Sequence, residues 1–296
     1  MKTKTIFKGA GTAIITPFNK DGVDYEKFAK LIEWQIESGI DSIIVGGTTG
    51  EGSTLTDDEH RAIIKFSVEQ AKGRVPIIAG TGSNDTDYAI SLTKYSASVG
   101  ADAALVVTPY YNKATQKGLI KMYEMIADES DIPLILYNVP SRTGVNIEPK
   151  TLAVLADHPN ICAIKEANGD ISKIVEEIAL VGDKLDFYSG NDDQVIPMLS
   201  MGGKGVISVL SNVLPYETSN MCKLFFDGKI AEAAKEQCRL LPLINALFSE
   251  VNPIPVKAAM ADMGYCEDNI RMPLTIMEEE HRKILRDEMR KTGIKL

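Results

Sequence analysis

The segment Ile161-Cys162-Ala163-Ile164-Lys165-Glu166 is a short apolar run that ends on a cation. Four consecutive apolar residues read as a strand buried on both faces, the kind found in parallel sheets covered by helices. An unpaired ammonium is the group such a strand tolerates least. Burial disfavours the charged form of a lysine, and a neutral amine is the nucleophile that attacks a carbonyl to form a Schiff base. Taken alone, the position has a plainer reading: a strand-end lysine commonly lays its stem on the core and its head in water. The surrounding chain has to decide between the two.

Outward from this segment, β-branched apolar runs alternate with helix-period segments. The strand candidates are Gly11–Phe18, Asp41–Gly47, Pro76–Gly82, Ala101–Tyr110, Pro133–Val139, Ile161–Glu166, Asp186–Gly190 and Gly205–Leu210. Between them lie amphipathic stretches such as Tyr25–Ser38, Asp57–Lys72, Thr86–Val99, Gln116–Glu129 and Ile171–Val181. Their apolar residues recur at three and four positions, as Phe28, Leu31, Ile32 and Ile36 do in the first. Asp24, Thr56, Asp85 and Asp170 stand where helix N-caps belong. Eight strand-helix units in succession predict an α/β fold, a (β/α)8 TIM barrel. Neither GxGxxG nor GxxxxGK[ST] occurs, which disfavours the doubly wound, nucleotide-binding alternative.

After Leu210 the pattern changes. Tyr216–Asp227, Ile230–Val251, Pro255–Met263 and Leu274–Thr292 read as helices, the first completing the eighth unit. The expected organisation is a catalytic barrel over residues 1–229 and a helical region over 230–296. That region could cover the barrel or mediate assembly; its pattern fits both.

A net charge of -9 argues against a nucleic-acid surface, which needs a basic face. Cys162, Cys222, Cys238 and Cys266 are dispersed with no CxxC pair, as in reduced cytoplasmic proteins, and structural zinc is not expected. His60, His158 and His281 are equally scattered, so neither a histidine metal site nor a catalytic triad is supported. Met1-Lys2-Thr3-Lys4 leads into a mixed segment without a long apolar stretch, so neither a signal peptide nor a membrane-spanning helix is expected.

Functional residues of such barrels stand at the C-terminal ends of the strands. Those ends here carry Gly46-Gly47-Thr48-Thr49-Gly50-Glu51, Thr108-Pro109-Tyr110-Tyr111-Asn112-Lys113, Tyr137-Asn138-Val139-Pro140-Ser141-Arg142-Thr143-Gly144, Lys165-Glu166 and Ser189-Gly190-Asn191-Asp192-Asp193. The eighth carries Gly203-Lys204-Gly205-Val206-Ile207-Ser208. Tyr137 and Lys165 are 28 residues apart, about one βαβ unit, which sets them on neighbouring strands at one rim. A tyrosine hydroxyl beside an amine nucleophile can relay protons during imine formation. The Gly-Gly-Thr-Thr-Gly turn offers backbone N–H groups and two hydroxyls to a carboxylate, and Arg142 can grip a second one bidentately. Singly, each has an ordinary reading as a turn, a packing residue or a surface ion pair. Their arrival at one rim is the stronger signal.

The strings Gly47-Thr48-Thr49-Gly50-Glu51, Tyr137-Asn138-Val139-Pro140-Ser141-Arg142-Thr143-Gly144 and Ile164-Lys165-Glu166 resemble those of the dihydrodipicolinate (4-hydroxy-tetrahydrodipicolinate) synthase family of pyruvate-dependent class I aldolases. The resemblance runs from Gly11–Phe18 to Asn252-Pro253-Ile254-Pro255-Val256-Lys257. It implies that Lys165 forms an imine with pyruvate, with Tyr137, Thr48 and Tyr111 as a proton relay, Tyr111 reaching across from a neighbouring subunit. It further implies that Thr48 and Thr49 hold the pyruvate carboxylate and Arg142 that of L-aspartate β-semialdehyde, while the Ile207 carbonyl and the region of Gly190 complete the pocket. Condensation would give 4-hydroxy-tetrahydrodipicolinate for lysine and diaminopimelate synthesis. The resemblance implies no cofactor beyond the covalent imine, and a homotetramer built as a dimer of dimers. N-acetylneuraminate lyase and 2-keto-3-deoxy-sugar-acid aldolases share the plan. The sialic-acid enzymes typically carry Ser-Thr where this chain has Thr48-Thr49 and lack an arginine matching Arg142.

One departure concerns regulation. His60, Asn84 and Tyr110 match an allosteric lysine site of the family, but Gly52, Asp57 and Tyr88 stand where lysine-inhibited members commonly show serine, histidine and glutamate. Weak or absent inhibition by lysine is the expectation.

Overall fold

The computed structural model describes residues 5–296; Met1-Lys2-Thr3-Lys4, and with it the reading of the leading residues, lies outside them. Eight parallel strands close into a barrel: β1 (Gly9–Ala13), β2 (Ser42–Val45), β3 (Ile77–Gly80), β4 (Ala103–Val107), β5 (Leu134–Asn138), β6 (Ile161–Glu166), β7 (Asp186–Ser189) and β8 (Gly205–Ser208). Each pairs with the next in sequence, and β8 closes on β1 with Gly11 opposite Ile207. Outside run α1 (Tyr25–Glu37), α2 (Asp57–Ala71), α3 (Thr86–Ser98), α4 (Gln116–Asp128), α5 (Pro149–Leu155), α6 (Ile171–Val181), α7 (Val195–Ser200) and α8 (Pro215–Phe226). Three further helices, α9 (Ile230–Leu247), α10 (Ile254–Asp262) and α11 (Glu279–Lys291), follow. Among the described residues no helix is long and apolar enough to cross a membrane.

The local signals act as their chemistry requires. Asp24, Asp85 and Asp170 accept hydrogen bonds from the first-turn N–H groups of α1, α3 and α6, and Thr56 forms a reciprocal capping box with Glu59. Such caps are each worth about 1 kcal/mol. On α1 the stripe Phe28, Leu31, Ile32, Gln35 is buried. Its polar member, Gln35, accepts from Thr12 Oγ1 at 2.6 Å and donates to the Ser211 carbonyl at 3.0 Å, which ties α1 to the β8–β1 seam.

Several boundaries differ from expectation, each for a traceable reason. The first strand ends at Ala13, not Phe18. Ile14 N–H still bonds the Ile44 carbonyl, but Ile15 N–H turns to Asn212 Oδ1 and Pro17 has no N–H to give. Phe18–Asn19 instead forms a small hairpin with Gly22–Val23. The last helix begins at Glu279 rather than Leu274, because Glu278 N–H is taken by the Glu250 carboxylate at 3.1 Å. The short α5 and α7 were not read from the sequence; at one or two turns each, they hold too few repeats to show a period.

Strand alternation sorts the side chains. Ile135, Tyr137 and Ala163 belong to the barrel interior, whereas Leu134, Leu136 and Ile164 pack under the helices. The interior is filled low down by Phe7 and Tyr188, stacked at 4.3 Å, with Tyr188 Oη donating to the Phe7 carbonyl at 2.7 Å. A filled base leaves the C-terminal mouth as the place for a site.

Candidate active site

The register of β5 on β6 sets Tyr137 directly opposite Lys165. Both side chains point into the barrel, and Lys165 Nζ lies 4.2 Å from the Tyr137 ring centroid. Lys165 is only 6% exposed, and among the described residues no carboxylate forms an ion pair with it. It lies at a cavity of about 210 Å³ lined also by Thr48, Thr49, Tyr137, Arg142 and Gly190. Ile207 is buried on β8, which pairs with β7 and β1 rather than with β6. Tyr111 stands apart, 92% exposed and with φ of +70° on the β4–α4 loop.

The chain is shaped around this cavity by close approach. A Cβ on Gly190 would sit 3.2 Å from Lys165 Cε and 2.6 Å from the Ala167 side chain, so a larger residue would displace the lysine stem. At the β2 end, Gly46 takes φ of +69°, and a Cβ there would strike His60 Nε2 at 2.4 Å. The turn that follows exposes Thr48, buries Thr49 and leaves both their N–H groups without an acceptor in the described chain. Glu51, at φ of +56°, swings its carboxylate into the interior.

Two residues that sequence reasoning did not single out complete the rim from the C-terminal region. Asn252 Nδ2 donates to Thr49 Oγ1 at 3.0 Å, while its carbonyl accepts from Arg142 Nη2 at 3.1 Å. Lys257 Nζ, on α10, donates to Glu51 Oε1 at 2.6 Å and to the Thr16 carbonyl at 2.5 Å. Burial lowers the Lys257 pKa, and Glu51 opposes that shift. The signal was a cation inside the otherwise apolar Ile254-Pro255-Val256-Lys257-Ala258-Ala259-Met260 run, the same kind of oddity as Lys165. The helical region therefore reaches the barrel mouth and braces its Thr48-Thr49 turn.

Other nucleophiles near the site are quiet. Burial pushes the Cys162 thiol up to about 12, leaving almost no thiolate at neutral pH. Buried Asp192, raised by desolvation, accepts from the N–H groups of Val209 and Leu210 at 2.9 Å and anchors the loop after β8. Beside the site opens a larger cavity of about 600 Å³, lined by His60, Asp57, Tyr88 and Tyr110 and sharing Thr48, Tyr137 and Arg142.

Residues 6–292 match the model of the dihydrodipicolinate synthetase family. The chain belongs to that family. It is similar to the 4-hydroxy-tetrahydrodipicolinate synthase of Acetivibrio thermocellus, with 55% identity over 98% of this chain and 99% of the relative. Its fold is similar to that of dihydrodipicolinate synthase from Aquifex aeolicus, at TM-score 0.96 and 44% identity, covering 98% of this chain and 99% of that one. The chloride-inhibited dihydrodipicolinate synthase from Acinetobacter baumannii, solved with pyruvate, superposes equally well at TM-score 0.96 and 46% identity, covering 98% of this chain and 100% of that one.

Proposed function

We propose that this member of the dihydrodipicolinate synthetase family condenses pyruvate with L-aspartate β-semialdehyde, giving 4-hydroxy-tetrahydrodipicolinate for lysine and diaminopimelate synthesis. The observation that carries the reading is a buried lysine that forms no ion pair among the described residues, set against a tyrosine ring in a small cavity at the barrel mouth. Family membership and the pyruvate complex of the Acinetobacter baumannii enzyme support it.

Lys165 Nζ attacks C2 of pyruvate, and protons passed through Tyr137, Thr48 and Tyr111 turn the carbinolamine into an imine with loss of water. The free N–H groups and hydroxyls of Thr48 and Thr49 receive the pyruvate carboxylate. Loss of a C3 proton gives the enamine, whose carbon attacks the aldehyde; the substrate amine then adds to C2, closes the ring and expels Lys165. Arg142 holds the carboxylate of the aldehyde substrate. Gly190 leaves room beside the lysine stem, and the Ile207 carbonyl faces the bound pyruvate. No resident cofactor is needed, since pyruvate itself is the electrophile that the lysine holds.

The exposed, left-handed Tyr111 supports a site completed across a subunit contact; we infer a cytoplasmic homotetramer assembled as a dimer of dimers. A coupled assay with pyruvate and aspartate β-semialdehyde, run beside N-acetylmannosamine and glyceraldehyde, tests the reading. Preference for either of the latter would move the chain to the sugar-acid aldolases. In the neighbouring cavity the Asp57 carboxylate is taken by Arg61 Nε at 2.8 Å, and among the described lining residues no glutamate stands there to pair with a ligand ammonium. Activity is therefore expected to persist in submillimolar lysine, and complete inhibition would contradict the assignment.

A further inference from the structure

Behind the inward-facing pair Tyr137 and Lys165, the same register sets Asn138 opposite Glu166 on the helix side of the sheet. Glu166 is fully buried. Its carboxylate accepts from Asn138 Nδ2 at 2.9 Å and from Asn168 N–H at 2.7 Å, and its main-chain carbonyl accepts from Gly190 N–H at 2.7 Å. One residue thereby joins the ends of β5, β6 and β7, the three strands that present Tyr137, Lys165 and Gly190.

A second carboxyl group lies against it. Glu177 of α6 is 1% exposed, and no N–H donor reaches either of its oxygens. The carboxyl group it faces is that of Glu166. The other charged groups that face it are Glu148, before α5, and the exposed Lys173 on its own helix. Two buried carboxyl groups in contact cannot both ionise. Glu166 holds the N–H donors that suit an anion, so the proton belongs to Glu177. Burial raises the pKa of both groups, and the negative charge of Glu166 raises that of Glu177 further.

We propose that Glu177 is a positioning residue for Lys165: it holds one proton against Glu166, and this shared-proton pair sets the strand ends that carry the imine site. The inference rests on the pyruvate-imine reading above. When the proton is lost at alkaline pH, two buried anions repel and the strand ends shift.

The test compares Glu177→Gln and Glu177→Leu with the unaltered protein. The amide introduced by Glu177→Gln would still donate to Glu166 but cannot ionise. Glu177→Gln should keep kcat within about twofold at neutral pH and move the alkaline fall of kcat/KM upward, whereas Glu177→Leu should lower kcat about tenfold with a smaller change in the KM for pyruvate. Infrared difference spectra should lose a protonated-carboxyl band in Glu177→Gln. An alkaline limb unchanged in Glu177→Gln, an unaltered infrared spectrum, or a folded Glu177→Leu with full kcat would each overturn the proposal. If the unaltered protein forms no borohydride-trappable imine with pyruvate, the functional reading fails instead, and the infrared arm still judges the carboxyl pair.

Discussion

Lys165 and Lys257 are both taken out of water by this fold, at 6% and 1% exposure, yet their surroundings are opposite. Lys257 is satisfied: it meets the Glu51 carboxylate and the Thr16 carbonyl and lies over the Phe18 ring. Among the described residues Lys165 forms no ion pair: it lies against the face of Tyr137, interacts electrostatically with the buried Asp192 carboxyl group, and has a cavity in front of it. A buried cation with an anion beside it is held in place and serves as scaffold. One that forms no ion pair keeps its nitrogen available to an incoming carbonyl. The contrast shows that burial of a lysine is no functional signal until its partner is known.

Five variants would break or sharpen the contrast. Lys165→Ala should cost at least ~10³-fold in turnover and abolish the borohydride-trapped pyruvate adduct, with stability altered by no more than about 1 kcal/mol. Substantial residual turnover would contradict covalent catalysis. Lys257→Ala should do the reverse in kind. It leaves Glu51 buried without its ion-pair partner, so urea unfolding should show a loss of about 3–5 kcal/mol. A double replacement, Lys257→Met with Glu51→Gln, should recover part of that.

Arg142 stands between the two regions, since it donates to the carbonyl of Asn252. Arg142→Ala should reduce kcat/KM for aspartate β-semialdehyde roughly 10- to 100-fold, the range of one lost charged hydrogen bond, while trapping of pyruvate on Lys165 is unchanged. Equal preference among aldehydes before and after the change would remove its role.

The smallest effect is expected on the scaffold side at low pH. Arg271, whose N–H also bonds Glu51, holds the Glu59 carboxyl down to about 2 from an ordinary 4.5. A carboxyl depressed by folding adds stability above its unfolded value and gives it up as pH falls through the folded one. Acid unfolding should therefore show a stability loss over about pH 4.5 to 2 that Glu59→Gln flattens.

The barrel was legible because its signals are local. Caps such as Thr56 and Asp170, the stripe on α1 and the apolar runs of β5 and β6 act within one element, and their order dictates a parallel closed sheet. Even the pairing of Tyr137 with Lys165 followed from spacing, since one βαβ unit returns the chain to the next strand. The harder residues were those joined across long separations. Nothing near Asn252 says that it meets Thr49 and Arg142, and nothing near Glu177 says that it lies on Glu166.

The sequence by itself determined the order of strands and helices, the cation on β6 and the polar residues at the strand ends, because propensity, capping and periodicity act over a few residues. Tertiary structure alone decided which of the two buried lysines is ion-paired among the described residues. It also decided that the C-terminal region braces the Thr48-Thr49 turn and that two carboxyl groups share a site behind Lys165. Those outcomes depend on where distant segments dock, and the charge state of a buried group is set by the neighbours that docking brings.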